Sequence, residues 1–360
     1  MKQTGPVLPD AGDSTPRVHV IHENDAWVEP LRREFAARGV PFAEWFLDEG
    51  VLDLREPPPA GVFYNRMSAS SHTRDHRYAA EYTGAVLAWL KRHGCTVVNG
   101  ERALALEISK VAQYQALAAF GIATPETIAV VGKDNIAGAA ERLGFPLILK
   151  HNRGGKGLGV RLFLSAAALA EHLGGNEFEA PVDGITLVQR YIKAPAPFIT
   201  RVEFVGGNFL YAVQVDTSQG FELCPADACV VDAAAIAGAC PAEAPAEKFR
   251  ILRDFDHPLL PQWQAFLGAN DIRVAGVEFI TDAFGPCLHL RRQHQHQIQP
   301  RRRGKGRAPR HGRDRRLSRR IAGAPDGERA GSSAGERLTR KLPLGRRHPF
   351  SRQATVTGQR

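Results

Sequence analysis

Hydrophobic residues along the first hundred positions alternate between the spacing of strands and the spacing of helices. The stretch RVHVIHEN at 17–24 has the period of a strand, whereas DAWVEPLRREFAARGV at 25–40 has the period of a helix that stops at Gly39. The same patterns recur in the predicted strands PFAEWFL, GVFYN and CTVVNG and in the predicted helix RYAAEYTGAVLAWLKRHG. Strands that alternate with helices form parallel sheets with crossover connections, so residues 17–100 are predicted to be an N-terminal α/β domain.

The pattern changes after residue 100. The stretch ALEISKVAQYQALAAFGIATPET predicts a single helix that ends at Gly121. Dense β-branched and aromatic residues then mark ITLVQRYI, FITRVEFVGGNFLYAVQV and VAGVEFITDAFG as strands, and the two adjacent glycines in VEFVGGNFLYAV predict a hairpin turn. This mixture predicts two α+β lobes, at 101–180 and 181–287.

The segment PLILKHNRGGKGLGVRLF carries the strongest chemical signal. A strand ends at Lys150, and a second strand follows a loop that contains Gly154, Gly155, Lys156, Gly157 and Gly159. Glycines let backbone N–H groups approach phosphate oxygens closely, and the lysines add positive charge. Because the loop joins two strands and has no Lys-Ser/Thr pair, it is neither a P-loop nor a Rossmann fingerprint. A loop that covers a nucleotide and a plain glycine-rich hairpin are both consistent with this segment.

Several segments in a fixed order extend this signal. The series SK, GIATPET, FPLILK, RGGKGLGV, LVQRYI, RVEFVGG and AGVEFI, between residues 95 and 286, resembles the ATP-grasp superfamily. Its members include glutathione synthetases, D-alanine–D-alanine ligases and amino-acid ligases that extend proteins or peptides with glutamate. The resemblance implies an α/β N-terminal domain plus α+β ATP-grasp lobes. It also implies ATP and Mg²⁺ as cofactors, and a small-molecule or peptide carboxylate and an amine as substrates joined through an acyl phosphate.

The resemblance also implies roles for individual residues. Arg201 matches an arginine that stabilises phosphoryl charge during catalysis, and Glu278 matches the first Mg²⁺-binding carboxylate. The implied ATP-binding residues are Lys110, Lys150, Gly154, Gly155, Lys156, Gly157, Gly159, Gln189, Tyr191 and Ile192, the last three lying at the hinge between the lobes. The chain departs from the pattern at two positions: the family often has Glu where Gln189 stands, and related ligases often carry an acid where Ile199 stands.

Candidate substrate contacts lie in the N-terminal domain. The stretch YNRMSASSHTR follows a predicted strand, and loops at the carboxyl ends of parallel strands form binding crevices. Arg66 and Ser68 are candidate substrate contacts by this position, although a plain surface loop is equally consistent. His72 and His76 have no clear metal-ligand companion, so we interpret them as solvent-facing or structural.

Charge changes the picture only at the C-terminus. The chain of 360 residues has a formal net charge of +9, yet residues 288–360 hold 21 lysines and arginines against four acidic residues. The preceding chain is mildly acidic, so any nucleic-acid binding would belong to the tail alone. A basic arm that contacts phosphates and a histidine metal site around 289–296 are both alternatives for this segment. It lacks sustained periodicity, which predicts a disordered or poorly packed tail that binds nucleic acid at most non-specifically.

The tail also lacks a motif that the resemblance implies. In ATP-grasp ligases the next strand ends in an acid–x–Asn motif that completes the Mg²⁺ site, and no such pair follows Glu278. Residues 289–293 read one base out of frame can encode Thr-Tyr-Asp-Val-Asn, which contains this motif. Our hypothesis is that the reading frame changes between 282 and 288. The ligase would then be impaired, and a non-catalytic ATP-binding protein is the alternative function.

The remaining composition is that of an ordinary globular protein. No apolar run reaches the roughly 18 residues of a membrane span, and the N-terminus lacks the apolar core of a secretory signal. The five cysteines have no paired spacing typical of zinc sites or disulfides. These features predict reduced thiols and a cytoplasmic location.

Overall fold

Three β-sheets organise the part of the chain that the structure describes. This computed structural model describes residues 15–155, 159–218 and 249–282, together with the backbone of 285–291. The sequence-based predictions for Lys156, for Gly157 and for the tail from 292 onward lie outside these residues. Among the described residues, no helix combines the length and apolar character needed to cross a membrane.

The first sheet is parallel, with the strand order β2-β1-β3-β4. Asn24 caps its first helix by accepting a hydrogen bond from the N–H of Ala26 at 3.1 Å, and Gly39 ends that helix with φ of 61°. The elements are β1 (Arg17–His22), α1 (Asp25–Arg38), β2 (Phe42–Phe46), β3 (Gly61–Asn65), α2 (Ala79–Arg92) and β4 (Thr96–Val98). Parallel strands with helical crossovers confirm the predicted N-terminal α/β arrangement.

Two helices follow where the sequence predicted one. The helix α3 (Glu101–Ile108) and the helix α4 (Lys110–Ala118) meet at Ser109, whose φ of −139° and ψ of 109° are extended. The hydroxyl of Ser109 accepts a hydrogen bond from the N–H of Ala112 at 3.2 Å, which caps α4. The prediction of a single helix was wrong because the apolar period continues across a capping serine. As a result, Lys110 occupies the first position of α4.

The second sheet is antiparallel, with the strand order β5-β8-β6-β7. Its elements are β5 (Thr127–Val131), α5 (Ile136–Leu143), β6 (Leu147–His151), β7 (Arg161–Phe163), α6 (Ala166–Gly174) and β8 (Ile185–Arg190). Leu147, Leu149 and Val188 form a core with α5 and α6 on one face. Since side chains alternate along a strand, Lys150 and Gln189 share the opposite face.

The third sheet has five strands in the order β11-β10-β9-β12-β13. Its elements are β9 (Phe198–Val205), β10 (Asn208–Asp216), β11 (Phe249–Leu252), α7 (Leu260–Ala269), β12 (Val274–Asp282) and β13 (Gly285–Arg291). Gly206 and Gly207 have φ of 64° and 76° between β9 and β10, which confirms the predicted hairpin turn. Strand β13 pairs antiparallel with β12 and places position 291 opposite Gly276.

The core of the third sheet lies on the face that packs against α3, α4 and α7. Val202 and Val277 belong to this core together with Tyr114 of α4 and Trp263 of α7. The alternate positions on the same strands carry Arg201, Glu203 and Glu278. The sheet therefore separates an apolar face that holds the helices from a charged face.

Candidate functional site

Lys150 is a buried cation at the root of the glycine-rich loop. It is 5% exposed, and its Nζ donates a hydrogen bond to the hydroxyl of Tyr114 at 2.7 Å. Burial, and after it the positive charge of Lys110, lowers the pKa of Lys150 well below its ordinary value. Among the described residues, Lys150 has no carboxylate within ion-pair distance. Its ammonium form therefore needs a negative charge that the described part of the fold does not provide.

Gln189 and Tyr114 extend the surroundings of Lys150 with neutral groups. Gln189 is fully buried, and its Nε2 donates to the hydroxyl of Tyr114 at 3.1 Å and to Oγ1 of Thr127 at 2.7 Å. The Oε1 atom of Gln189 has no hydrogen-bond donor among the residues that the structure describes. Strand β8 thus offers a buried carbonyl oxygen beside Lys150, which can accept a hydrogen bond from a ligand.

Asn152 and Lys110 fasten the glycine-rich loop to α4. The side chain of Asn152 accepts a hydrogen bond from the N–H of Val111 at 2.9 Å and donates to Asp183 at 2.7 Å. Lys110 Nζ donates to the carbonyl oxygens of Asn152 at 3.2 Å and of Gly154 at 2.7 Å. Lys110 therefore shapes the backbone at the start of the loop.

The loop returns over His151. A Cβ atom on Gly159 would lie 3.6 Å from the ring of His151, and its φ of 69° favours glycine. Gly154 and Gly155 begin the loop, and a Cβ on Gly154 would lie 3.7 Å from the Cβ of His151, an ordinary contact. The positive φ of Gly159 is therefore the feature that requires glycine where the loop returns to β7.

Tyr191 and Ile192 begin the connection between the second and third sheets. The N–H of Tyr191 donates to the carbonyl oxygen of Pro146 at 3.1 Å, next to the start of β6. Both residues are half-buried, and the segment from them leads directly to β9. Both residues thus lie in the connection between β8 and β9, and their role as a hinge stays a prediction.

A second charged group lies on the third sheet. Arg201 is 4% exposed, donates from Nε to Glu203 Oε1, and has Nη1 3.6 Å from Oε1 of Glu278. Arg201 and Glu278 are directly opposite in strand register. Gly276 leaves the necessary space, because a Cβ there would lie 2.6 Å from Nη2 of Arg201. Burial alone would lower the pKa of Arg201, but the charges of Glu203 and Glu278 raise it.

Tyr211 completes this charged face. It lies opposite Glu203 in the register of β9 and β10, and burial and then the charge of Glu203 raise its pKa to about 12. Its hydroxyl is therefore protonated at neutral pH. The resemblance places an acid two residues before Arg201, where this chain has Ile199. Glu203, two residues after Arg201, supplies a carboxylate to it instead.

The candidate substrate residues lie at the end of β3. Nη2 of Arg66 donates to the carbonyl oxygen of Trp27 at 3.1 Å, and its Nε is buried without an acceptor among the described residues. The hydroxyl of Ser68 bonds to the hydroxyl of Ser70 at 3.0 Å and accepts from its N–H at 3.1 Å. Ser68 therefore stabilises a turn, whereas Arg66 keeps one donor for another group.

A separate polar cluster occurs in the first sheet. His22, Asp25 and Glu44 bring ligand atoms within 4.8 Å of one another, as metal ligands do. Arg32 holds the same carboxylates, with Nη2 2.6 Å from Glu44 and 3.0 Å from Asp25. Although burial raises the pKa of Glu44, hydrogen bonds from His22 and Arg32 lower it to about 2. The guanidinium thus provides the positive charge here, and the cluster is an internal ion-pair network.

The structure sorts the sequence-predicted residues into two groups on two sheets. Lys110, Lys150, Gly154 and Gln189 come together around Tyr114 and Asn152, and Arg201 and Glu278 come together with Glu203. Sequence reasoning missed Tyr114, Asn152 and Glu203. Only Glu203 carried a usable signal, because a charged residue two positions from Arg201 lies on the same face of a strand.

Comparisons with known proteins show which sequences this chain resembles. No protein-family model matches the chain. Beta-citrylglutamate synthase B of Danio rerio is 33% identical over 128 residues, which cover 35% of this chain and 31% of that protein. N-acetylaspartylglutamate synthase A of Mus musculus is 27% identical over 191 residues, covering 50% of this chain and 49% of that protein. The matched part of this chain thus spans 31% of the length of the first relative and 49% of the length of the second.

A solved structure identifies the fold. The RimK domain ATP-grasp protein of Sphaerobacter thermophilus superposes with a TM-score of 0.50 and 21% identity, covering 76% of this chain and 89% of that chain. The chain therefore has the ATP-grasp fold. In sequence, parts of the chain are similar to these two synthases and to the D-alanine–D-alanine ligase of Chromohalobacter salexigens.

Proposed function

We propose that this protein binds ATP and joins a carboxylate to an amine through an acyl phosphate. The buried Lys150, which has no carboxylate partner among the described residues, is the observation that carries the proposal. A polyphosphate would supply the negative charge that this position needs, in a site where charge-assisted hydrogen bonds are strong. The glycine-rich loop that begins at Gly154 would cover the phosphates with its backbone N–H groups.

The proposed chemistry needs positioning and charge rather than a covalent intermediate on the enzyme. The γ-phosphoryl group of ATP passes to a carboxylate oxygen of the acid, which gives ADP and an acyl phosphate. The amine attacks the acyl carbon, and phosphate leaves as the amide forms. Lys110 and Lys150 would hold phosphate oxygens while Arg201 offsets charge on the transferred group. Gln189, Tyr191 and Ile192 would contact the adenine.

Mg²⁺ fits the charged face of the third sheet as a partly hydrated ion. Mg²⁺ usually binds one or two protein carboxylates and takes its other oxygen ligands from water and phosphates. Glu278 offers such a carboxylate and Glu203 is a second hard oxygen donor nearby, although both also contact Arg201. When bound, the ion would neutralise phosphate charge.

The relatives suggest the class of substrates. The names of both synthases describe a glutamate that carries a citryl group in one product and an N-acetylaspartyl group in the other. We extend this to the present chain as an acidic amino acid for the amine and a small carboxylic acid or peptide for the activated group. Arg66 and Ser68, at the end of β3, would lie on the substrate side.

Strand β13 bears on the reading-frame hypothesis. A restored frame would put Asp at position 291, which lies opposite Gly276, two residues from the position that pairs with Glu278. Because side chains alternate along a strand, this Asp would share a face with Glu278. We therefore retain the proposal that residues 288–360 are out of frame. We also propose that the chain divides into four segments, at 17–100, 101–180, 181–287 and 288–360.

A nucleotide-binding protein without turnover is the second candidate function. It is favoured by the absence of a further acid or Asn in the sequence from 283 to 313, where the resemblance places the rest of the metal site. This candidate predicts that the chain binds ADP but does not convert ATP to ADP. Nucleic-acid binding rests only on the basic tail, which lies outside the described residues.

The test separates nucleotide binding from turnover. Calorimetry should detect ADP binding in the presence of Mg²⁺ for this chain and for a frame-restored version. Release of ADP from ATP is then measured with glutamate as the amine and a panel of acids. We expect release that requires both substrates in the frame-restored chain and about 100-fold slower release in the present chain, a loss typical of an incomplete charge-stabilising site. Failure of both chains to bind nucleotide would contradict the proposal.

A further inference from the structure

Arg153 lies in the glycine-rich loop but faces different partners from Lys150. It is 3% exposed, and its Nη1 donates to Oε1 of Glu81 on α2 at 2.5 Å. Lys150 contacts Tyr114 on α4 instead. Arg153 therefore connects the loop to the first α/β domain, on the side where the loop after β3 lies.

The edge of Arg153 that best fits a carboxylate has no partner in the part of the chain that the structure describes. Among the described residues, its Nε and Nη2 are buried and lack a hydrogen-bond acceptor. These two groups form the side of the guanidinium that binds a carboxylate through two parallel hydrogen bonds. Arg32 and Arg74 both use this same edge to hold carboxylates, of Glu44 and Glu23.

The charges around Arg153 leave a net positive site. Glu81 is shared, because Arg77 also donates to its Oε1 at 3.1 Å. The charged groups that act on His72, next along the chain from Ser71, are Arg153, His151 and Arg77, all of them basic. The hydroxyl of Ser71 is buried and also lacks a partner among the described residues. An anion at this place would find a guanidinium fork in a positive environment.

We propose that Arg153 binds a carboxylate of the acid substrate other than the one that becomes activated, so that the protein selects acids with two or more carboxylates. This inference rests on the proposed ligase function, since it assigns a specificity residue to the same site. Lys150, Lys110 and Gln189 already form the set proposed for the nucleotide, whereas the guanidinium of Arg153 contacts Glu81 on α2 through Nη1. The substrate acid would therefore lie between the glycine-rich loop and the first domain.

The test compares binding of acids and of ADP by variants of the full chain. Calorimetry is performed with citrate, N-acetylaspartate, acetate and inorganic phosphate as probes, and separately with ADP and Mg²⁺. We expect R153Q to weaken binding of the two polycarboxylates at least about tenfold and to leave ADP binding unchanged, which also shows that the variant folds. R153K should recover part of the affinity, because a lysine keeps the charge but loses the fork.

Two further variants separate substrate binding from a structural role. R161Q removes an equal charge from the exposed Arg161 near the loop and should change nothing. E81Q removes the protein partner of Arg153 but keeps its free edge, so citrate should bind at least as tightly as to the wild type. If E81Q loses as much citrate affinity as R153Q, the pair is only structural and the inference is overturned.

Two other outcomes would also overturn it. One is a loss of ADP affinity in R153Q with polycarboxylate binding intact, which would place Arg153 with the nucleotide. The other is a wild type that binds ADP but no polycarboxylate more tightly than acetate. Failure of the wild type to bind ADP would contradict the proposed function instead, and the citrate measurements would still decide the role of Arg153.

Discussion

Lys150 and Arg201 are two buried basic residues in very different surroundings. They are 5% and 4% exposed and lie on different sheets. Burial, and after it the positive charge of Lys110, lowers the pKa of Lys150 well below its ordinary value, and its Nζ donates a hydrogen bond to the neutral Tyr114. Burial acts on Arg201 as well, yet Glu203 and Glu278 reverse it and raise the pKa. The described fold thus balances the charge of Arg201 and leaves that of Lys150 for a ligand.

This difference predicts opposite contributions to stability and binding. A buried charge without a partner destabilises a protein. In a buried ion pair, removal of one member is strongly destabilising, because the other charge is left without a partner. Lys150 should therefore cost stability in the free protein and provide affinity in the complex. Arg201 should stabilise its own face of the sheet with or without nucleotide.

Replacing Lys150 by Met should have the largest effect. Loss of a charged hydrogen-bond donor from a dry site should weaken ADP binding about 100-fold, measured by calorimetry. The free energy of unfolding of the free protein should rise by about 1 kcal/mol, because the variant no longer buries an amine whose charged form has no carboxylate partner among the described residues. K91M removes an exposed lysine that pairs with Glu101, and both quantities should stay unchanged. A K150M variant that is less stable than the wild type and binds ADP normally would contradict this prediction, because Lys150 would then stabilise the fold and not the complex.

Replacing Gly276 by Ala should break the balance at Arg201. The new Cβ would lie 2.6 Å from Nη2 and 2.8 Å from Cζ of Arg201, so the guanidinium must move away from its carboxylates. We expect a loss of about 1–3 kcal/mol in the free energy of unfolding, measured by urea denaturation.

Gly138 provides the matched control for that experiment. It lies inside α5, and a Cβ there would have no atom within 4 Å. G138A should stabilise the protein by about 0.5–1 kcal/mol, because alanine favours a helix. Equal effects of the two substitutions would show that Arg201 is not held in place by its ion pairs.

Replacing Glu278 by Gln should have a smaller effect, on metal dependence. Glu203 still pairs with Arg201 in this variant, so we expect the protein to remain folded. The Mg²⁺ concentration that gives half-maximal nucleotide affinity should rise about tenfold. D271N alters an exposed carboxylate just before β12 and should leave this concentration unchanged. An unaltered Mg²⁺ requirement in E278Q would assign Glu278 to Arg201 alone.

The sequence predicted local order better than it predicted long-range partners. Alternating patterns defined the parallel sheet, and the paired glycines at 206 and 207 defined a hairpin, because both depend on neighbouring residues. Ser109 was misread because a cap and a helix-interior serine differ only in backbone angles. The contact of Arg153 with Glu81 joins residues 72 positions apart, and no spacing rule reports such a pair.

The titration of Lys150 gives the smallest and most specific prediction. A lysine whose folded pKa lies below its unfolded value of about 10.4 binds fewer protons in the folded state, so between these two values stability rises with pH. Below the folded pKa of Lys150 both states are protonated, so this contribution to the free energy of unfolding is absent there.

Nucleotide binding should act in the other direction, since phosphate oxygens favour the ammonium form and raise the pKa of Lys150. ADP binding at pH 8 should therefore take up a fraction of a proton, less than about one per site, measured by calorimetry in buffers of different ionisation enthalpy. K150M should lack this proton uptake, whereas K91M should take up as many protons on ADP binding as the wild type. Equal uptake in the wild type and K150M would mean that another group changes its protonation, and that Lys150 carries its charge before the nucleotide arrives.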